Sequence, residues 1–192
     1  MKKFSTLLTV LVLAFLLAGN SAAAQVPTVP ANNLTFTTIG LNSLSFTWTR
    51  GNGEYCLVVV RASTSSASLP SNGSNYSPNA SFGLGSNLGN LNYVVYESVG
   101  TSMTVSNLLS NTSYTVRIYE FNIDGFGIEY YLTSSYETGS HYTLATAPTV
   151  GPSGITVSGY DAAITTFNWT GGNGAYHLAA LRQSTSYTGY PT

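Results

Sequence analysis

Leu44-Ser45-Phe46-Thr47-Trp48-Thr49-Arg50-Gly51-Asn52-Gly53-Glu54-Tyr55-Cys56-Leu57-Val58-Val59-Val60-Arg61 reads as two strands around a tight turn. Apolar and polar residues alternate strictly from Leu44 to Trp48, so an extended chain sets Leu44, Phe46 and Trp48 on one face. Gly51-Asn52-Gly53 then supplies residues that tolerate the positive φ of a sharp reversal. Tyr55 to Val60 is a nearly continuous apolar run, the pattern of a strand buried on both sides.

Working outward, the same period of two recurs on either side. Leu34-Thr35-Phe36 precedes the stretch; Tyr93-Val94-Val95-Tyr96, Met103-Thr104-Val105, Tyr114 to Phe121 and a last segment around His141 to Leu144 follow it. In the longest, Tyr114, Val116, Ile118 and Glu120 share one face, while Arg117, Tyr119 and Phe121 share the other. No helical period appears after the first two dozen residues. Seven or so short antiparallel strands imply an all-β, immunoglobulin-like sandwich.

A shift of 121 positions lays the chain on itself. Pro27-Thr28-Val29 meets Pro148-Thr149-Val150, Trp48-Thr49 meets Trp169-Thr170, and Gly51-Asn52-Gly53 meets Gly172-Asn173-Gly174. Tyr55, Leu57 and Arg61 continue onto Tyr176, Leu178 and Arg182 without a gap, then Ser63-Thr64-Ser65 onto Ser184-Thr185-Ser186 and Pro70 onto Pro191. Such self-similarity marks a tandem repeat. The expected organisation is a first domain over 26–147 and a truncated second repeat over 148–192, with Leu144 to Pro148 as linker. By analogy the second copy holds the first three strands only. Three strands without a facing sheet leave an apolar face open, so the chain is expected to be part of a longer protein.

The N-terminus carries an address. Lys2 and Lys3 precede an apolar run from Leu7 to Ala18 and a small-residue stretch, Ser21-Ala22-Ala23-Ala24. That order is a secretory signal peptide over 1–24, forming a signal helix and cut after Ala24. Twelve apolar residues are too few to span a bilayer, which takes about 20, so no membrane span is expected after cleavage. Asn20 stands where a lipoprotein signal would need cysteine. Past Ala24, four arginines face seven carboxylates, a formal charge of −3. This excludes partners held by phosphate neutralisation, nucleic acid first among them. The single cysteine, Cys56, excludes an intrachain disulfide.

Trp48, and Leu108-Leu109-Ser110-Asn111-Thr112-Ser113-Tyr114 leading into a long strand, resemble the fibronectin type III module. In that family the tyrosine packs inward and its hydroxyl ties down the preceding turn; the family usually has Pro where Ser110 stands. More narrowly, Trp48 to Gly53, Val58-Val59-Val60-Arg61 and the Gly-rich segment Tyr76 to Tyr96 resemble secreted fibronectin type III-like repeats of Bacteroidetes-type bacteria. The resemblance implies a non-catalytic, exported module of a larger surface or secreted protein, acting as spacer or adhesin. The alternative it leaves open is a carbohydrate-binding accessory module of a polysaccharide-degrading enzyme.

Candidate sites are few. Gly83-Leu84-Gly85 with Gly89 has the wrong spacing for a dinucleotide loop and no following helix. The stretch Ala62 to Asn92 is long for a connection and is expected to be a flap packed by Tyr76, Phe82 and Leu88, with a ligand loop as the alternative. Cys56 has no basic sequence neighbour to activate it, and His177 takes its place in the second copy. Glu54, Glu120, Asp124 and Glu129 show neither a cleft-forming glycosidase pair nor EF-hand spacing, and Asp124-Gly125 reads as a hairpin turn. Tyr130, Tyr131, Tyr136 and Tyr142 form the densest aromatic run, able to stack on sugar or to pack. The Asn-x-Ser/Thr triplets at Asn33, Asn72, Asn75, Asn79, Asn111 and Asn168 have no role behind a bacterial-type leader. The expectation is therefore no catalytic, cofactor-binding or metal-binding residue, and a protein or glycan partner at the cell surface.

Overall fold

A computed structural model describes residues 25–160, 164–174 and 176–181. The expected signal peptide at 1–24, and the repeat matches at Arg182, Ser184 to Ser186 and Pro191, lie outside the described residues. The chain divides into two compact units, one up to Ala145 and one from Thr146.

In the first unit, β1 (Asn32–Ile39), β2 (Leu44–Thr49) and β5 (Ser102–Val105) form a three-stranded antiparallel sheet in the order β1-β2-β5. A second sheet runs β4 (Tyr93–Ser98), β3 (Tyr55–Ala62), β6 (Ser113–Ile123), β7 (Glu129–Tyr131), with β8 (Glu137–Tyr142) also on β6. Strands β7 and β8 pair with opposite ends of β6, at Phe121 to Ile123 and at Ser113 to Ile118. They behave as one interrupted edge strand. The sequence pattern located every strand but β7, whose Tyr130-Tyr131 reads as an aromatic cluster rather than as an alternation. The last strand also begins at Glu137, four residues ahead of the expected His141.

Alternation decides the layers. Leu44, Phe46, Trp48, Cys56, Val58, Val60, Val95, Tyr114, Val116 and Ile118 meet between the two sheets in one buried cluster. Trp48 meets Tyr96 edge-on at 5.5 Å, and Phe82 meets Tyr114 at 5.2 Å, arrangements favoured by the ring quadrupole. The Tyr114 hydroxyl accepts a hydrogen bond from the Leu109 N–H at 3.0 Å and so pins the turn before its own strand. Asn111 takes positive φ there, which asparagine accommodates more readily than branched residues. With Ser110 in place of proline, Thr143 supplies stiffness: its hydroxyl donates to the Leu109 carbonyl at 2.7 Å and accepts from the Thr112 N–H at 3.1 Å.

A second buried cluster lies on the opposite face of the β3/β6 sheet: Leu57, Val59, Val94, Tyr119, Phe121 and Tyr131. The 62–92 segment covers it, with Tyr76 and Leu88 packed on these residues. Phe82 goes instead to the inter-sheet core. This explains why Tyr55 to Val60 lacks alternation: both faces of β3 are dry. Asn92 anchors the flap from a fully buried position, donating from Nδ2 to the carbonyls of Ser66 and Gly89, each at 2.8 Å.

The second unit has β9 (Ser153–Tyr160) paired antiparallel with β10 (Thr165–Thr170). Residues 176–181, aligned with β3 by the shift of 121, are not in a strand, contrary to the expectation of three strands. Among the described residues no helix is long and apolar enough to cross a membrane.

Candidate functional site

The Gly51-Asn52-Gly53 turn is a densely hydrogen-bonded region of the first unit. Arg50 at the end of β2 reaches Glu120 on β6: Nε donates to Oε1 at 2.9 Å, and Nη2 donates to Oε2 at 2.7 Å. Glu120 is fully buried, and its Oε1 also accepts the Gly51 N–H at 2.8 Å. Two-pronged guanidinium pairing plus a backbone donor is what a desolvated carboxylate requires. The hydrogen bond to Glu120 raises the Arg50 pKa further. Glycine is enforced at position 51, where a Cβ would run into the Val29 carbonyl oxygen, and at 53, where it would crowd the Glu120 carboxylate. Asn52 clasps the N-terminal segment: its Oδ1 accepts the N–H groups of Thr28 and Val29 at 3.0 and 2.9 Å.

The covered outer face carries a second set of polar groups. Glu129 is buried and accepts a hydrogen bond from the Tyr131 hydroxyl. Burial first, and that carboxylate second, push the Tyr131 pKa upward. Glu97, opposite Leu57 on β4, is raised by burial and then by the Glu129 charge. Toward the other end of the face, Arg117 stacks its guanidinium on the Tyr136 ring at 4.8 Å. Arg61 donates from Nη1 to the carbonyls of Ala62, Ser63 and Ser65, at 3.2, 3.0 and 2.6 Å, tying off the start of the flap.

The four carboxylates considered from sequence go to separate structural tasks. Glu54 accepts the Ile123 N–H, Glu120 holds Arg50, Glu129 holds Tyr131, and Asp124 Oδ1 accepts the N–H groups of Phe126 and Ile128 across the β6–β7 turn. Cys56 is buried between the sheets, and burial pushes its thiol up to about 12, with Arg50 opposing. His141 is exposed on β8, its ring 5.2 Å from Phe36. The four tyrosines do not form one platform: Tyr131 is buried, Tyr136 packs on Tyr119 at 5.0 Å, Tyr130 donates to Asp124, and Tyr142 is exposed. Gly83 and Gly89 take positive φ in the flap. Among the described residues no three His, Cys, Asp or Glu side chains cluster as metal ligands would. Sequence reasoning missed the Arg50–Glu120 pair and the Arg61–Arg117 neighbourhood. The signal for the first was present: an ionised carboxylate on the Tyr114-Val116-Ile118 face is costly to bury unless a cation or hydrogen-bond donors meet it.

The fibronectin type III domain model matches residues 27–136. The chain belongs to this family. Its fibronectin type III sandwich is also similar to several solved structures. One is a redesigned β-sandwich protein, at 18% identity and a TM-score of 0.41 over 62% of this chain and 94% of that one. Another is a crystal structure of titin domains, at 20% and 0.40 over 63% of this chain and 33% of that one. A third is a human fourth FNIII domain in solution, at 16% and 0.40 over 67% and 88%. No curated protein matches the chain. Fibronectin type III domains are generally non-catalytic and commonly serve as structural or spacer modules in larger proteins.

Proposed function

We propose that this is an exported bacterial protein of tandem fibronectin type III modules, of the secreted Bacteroidetes type, that acts without catalysis as a spacer or adhesive module at the cell surface or in a secreted assembly. The observation that carries the reading is the recurrence of the turn clasp. Asn173 Oδ1 accepts the N–H groups of Thr149 and Val150 at 3.1 and 2.9 Å, as Asn52 does for Thr28 and Val29 121 positions earlier. A Cβ at Gly172 would meet the Val150 carbonyl as one at Gly51 would meet that of Val29. A chain that begins the same module twice is built for length and repetition, and its polar but weakly charged surface suits a spacer.

Two measurements test this. Mass spectrometry of the protein exported from a bacterial host should find an N-terminus at Gln25; retention in the cytoplasm with Met1 intact overturns export. The purified chain should pass over insoluble cellulose, chitin and xylan without retention. Retention released by the matching soluble oligosaccharide would replace the spacer reading with that of a carbohydrate-binding accessory module.

A further inference from the structure

The described residues hold three arginines, Arg50, Arg61 and Arg117, and their only ion pair joins Arg50 to Glu120. The other two are neighbours. Register pairs Val59 with Arg117 and Arg61 with Thr115, so Arg61 and Arg117 stand diagonally on the same outer face of β3 and β6, a separation long side chains readily bridge. Both side chains are half-buried. The Nε of each is buried and makes no hydrogen bond to any protein atom. Two like charges side by side, each with a desolvated and unspent donor, are unfavourable unless something of opposite sign joins them.

From this geometry we propose that Arg61 and Arg117, flanked by Tyr119 and Tyr136, form a binding site for an oxyanion of the carboxylate or sulfate class. A guanidinium presents its donors as a planar fork that matches two oxygens of such a group, and an Arg pair offers two forks to one anion. The parts around it are fixed. Arg61 is held by three carbonyls, which orients its head, and Arg117 is held flat by Tyr136. Tyr119, fully buried, lies beside both arginines, with its hydroxyl against the Arg117 side chain. The site stands independently of whether the module is a spacer.

The test is NMR observation of the arginine Nε–Hε resonances of the purified chain during titration with sodium sulfate, with sodium chloride at matched ionic strength as control. Saturable shifts of the Arg61 and Arg117 signals, with that of Arg50 unmoved, are expected in sulfate alone. Arg117→Gln should weaken sulfate binding at least tenfold, and Arg117→Lys, which keeps the charge but not the fork, several-fold. Unchanged Trp48 indole shifts would certify the fold in both variants. Dextran sulfate against neutral dextran then separates the sources: tighter binding of the sulfated polymer assigns a polymer-borne group, and equal affinity per sulfate assigns a free anion. Shifts in sulfate no larger than in chloride, or an Arg117→Gln variant that binds as well as the parent, overturn the site.

Discussion

The two hairpin regions, Thr28 to Gly53 and Thr149 to Gly174, share their turn sequence and their clasp but not their burial. Trp48 is 4% exposed and Trp169 43%; Leu57 is 0% exposed and Leu178 89%. In the first unit β3 and β6 close over β2, whereas in the second β9 pairs with β10 alone among the described residues. Local sequence therefore suffices for the turn and its asparagine clasp. Burial of the tryptophan needs strands tens of residues away, among them β4, whose Tyr96 meets the Trp48 ring edge-on.

Replacing the tryptophans one at a time should break the symmetry most visibly. Trp48→Ala is expected to cost about 4 kcal/mol, as for large aromatic deletions in a core, while Trp169→Ala should change stability by less than about 0.5 kcal/mol. Urea denaturation of the two variants, with acrylamide quenching of the remaining tryptophan, reads both effects. Equal costs would mean that Trp169 is covered as well as Trp48.

Glu120→Gln comes next, at about 3 kcal/mol, because it leaves the Arg50 guanidinium without its charge partner in a half-buried position. The second hairpin has Gly171 where the first has Arg50, so this term has no counterpart there. A loss below about 1 kcal/mol in the same denaturation experiment would remove the ion pair from the account of why the units differ.

The asparagines should behave alike instead. Asn52→Ala and Asn173→Ala each delete three side-chain hydrogen bonds of matching geometry, worth about 1–2 kcal/mol together at exposed sites. Hydrogen exchange at the Thr28 and Val29 amides, and at those of Thr149 and Val150, should accelerate by similar factors. An effect in the first hairpin alone would show that its clasp depends on the surrounding core.

These contrasts also mark what sequence could reveal. Alternation at Leu44, Phe46 and Trp48 and the motif from Leu108 to Tyr114 fixed the sandwich, because strand period and the tyrosine-pinned turn are written in neighbouring residues. The continuous run Tyr55 to Val60 announced a strand dry on both sides. What covers its far face was legible only in part: Tyr76 and Leu88 were expected in the flap, but Phe82 turned inward to Tyr114. Arg61 and Arg117 are 56 positions apart, and only the β3/β6 register makes them neighbours. Glu120 was visible on the buried face, yet its partner lay 70 residues upstream.

The smallest effect belongs to Glu97. Its pKa is raised by burial and then by Glu129, so the folded state favours the neutral acid. The stability this contributes is fully present below the ordinary value of 4.5 and is lost as pH rises through the folded value. At pH 7 the ionised carboxylate is therefore a cost borne by the outer face, one the exposed second hairpin does not share. Glu97→Gln should raise stability at pH 7 by about 0.5 kcal/mol, modest because the group is still partly solvated, and the gain should disappear at pH 3.5. Thermal melts of parent and variant at the two pH values read the sign directly. A variant less stable than the parent at pH 7 would mean that the Glu97 carboxylate holds the flap in place through its charge, and that the outer face is closed by electrostatics as well as by Tyr76 and Leu88.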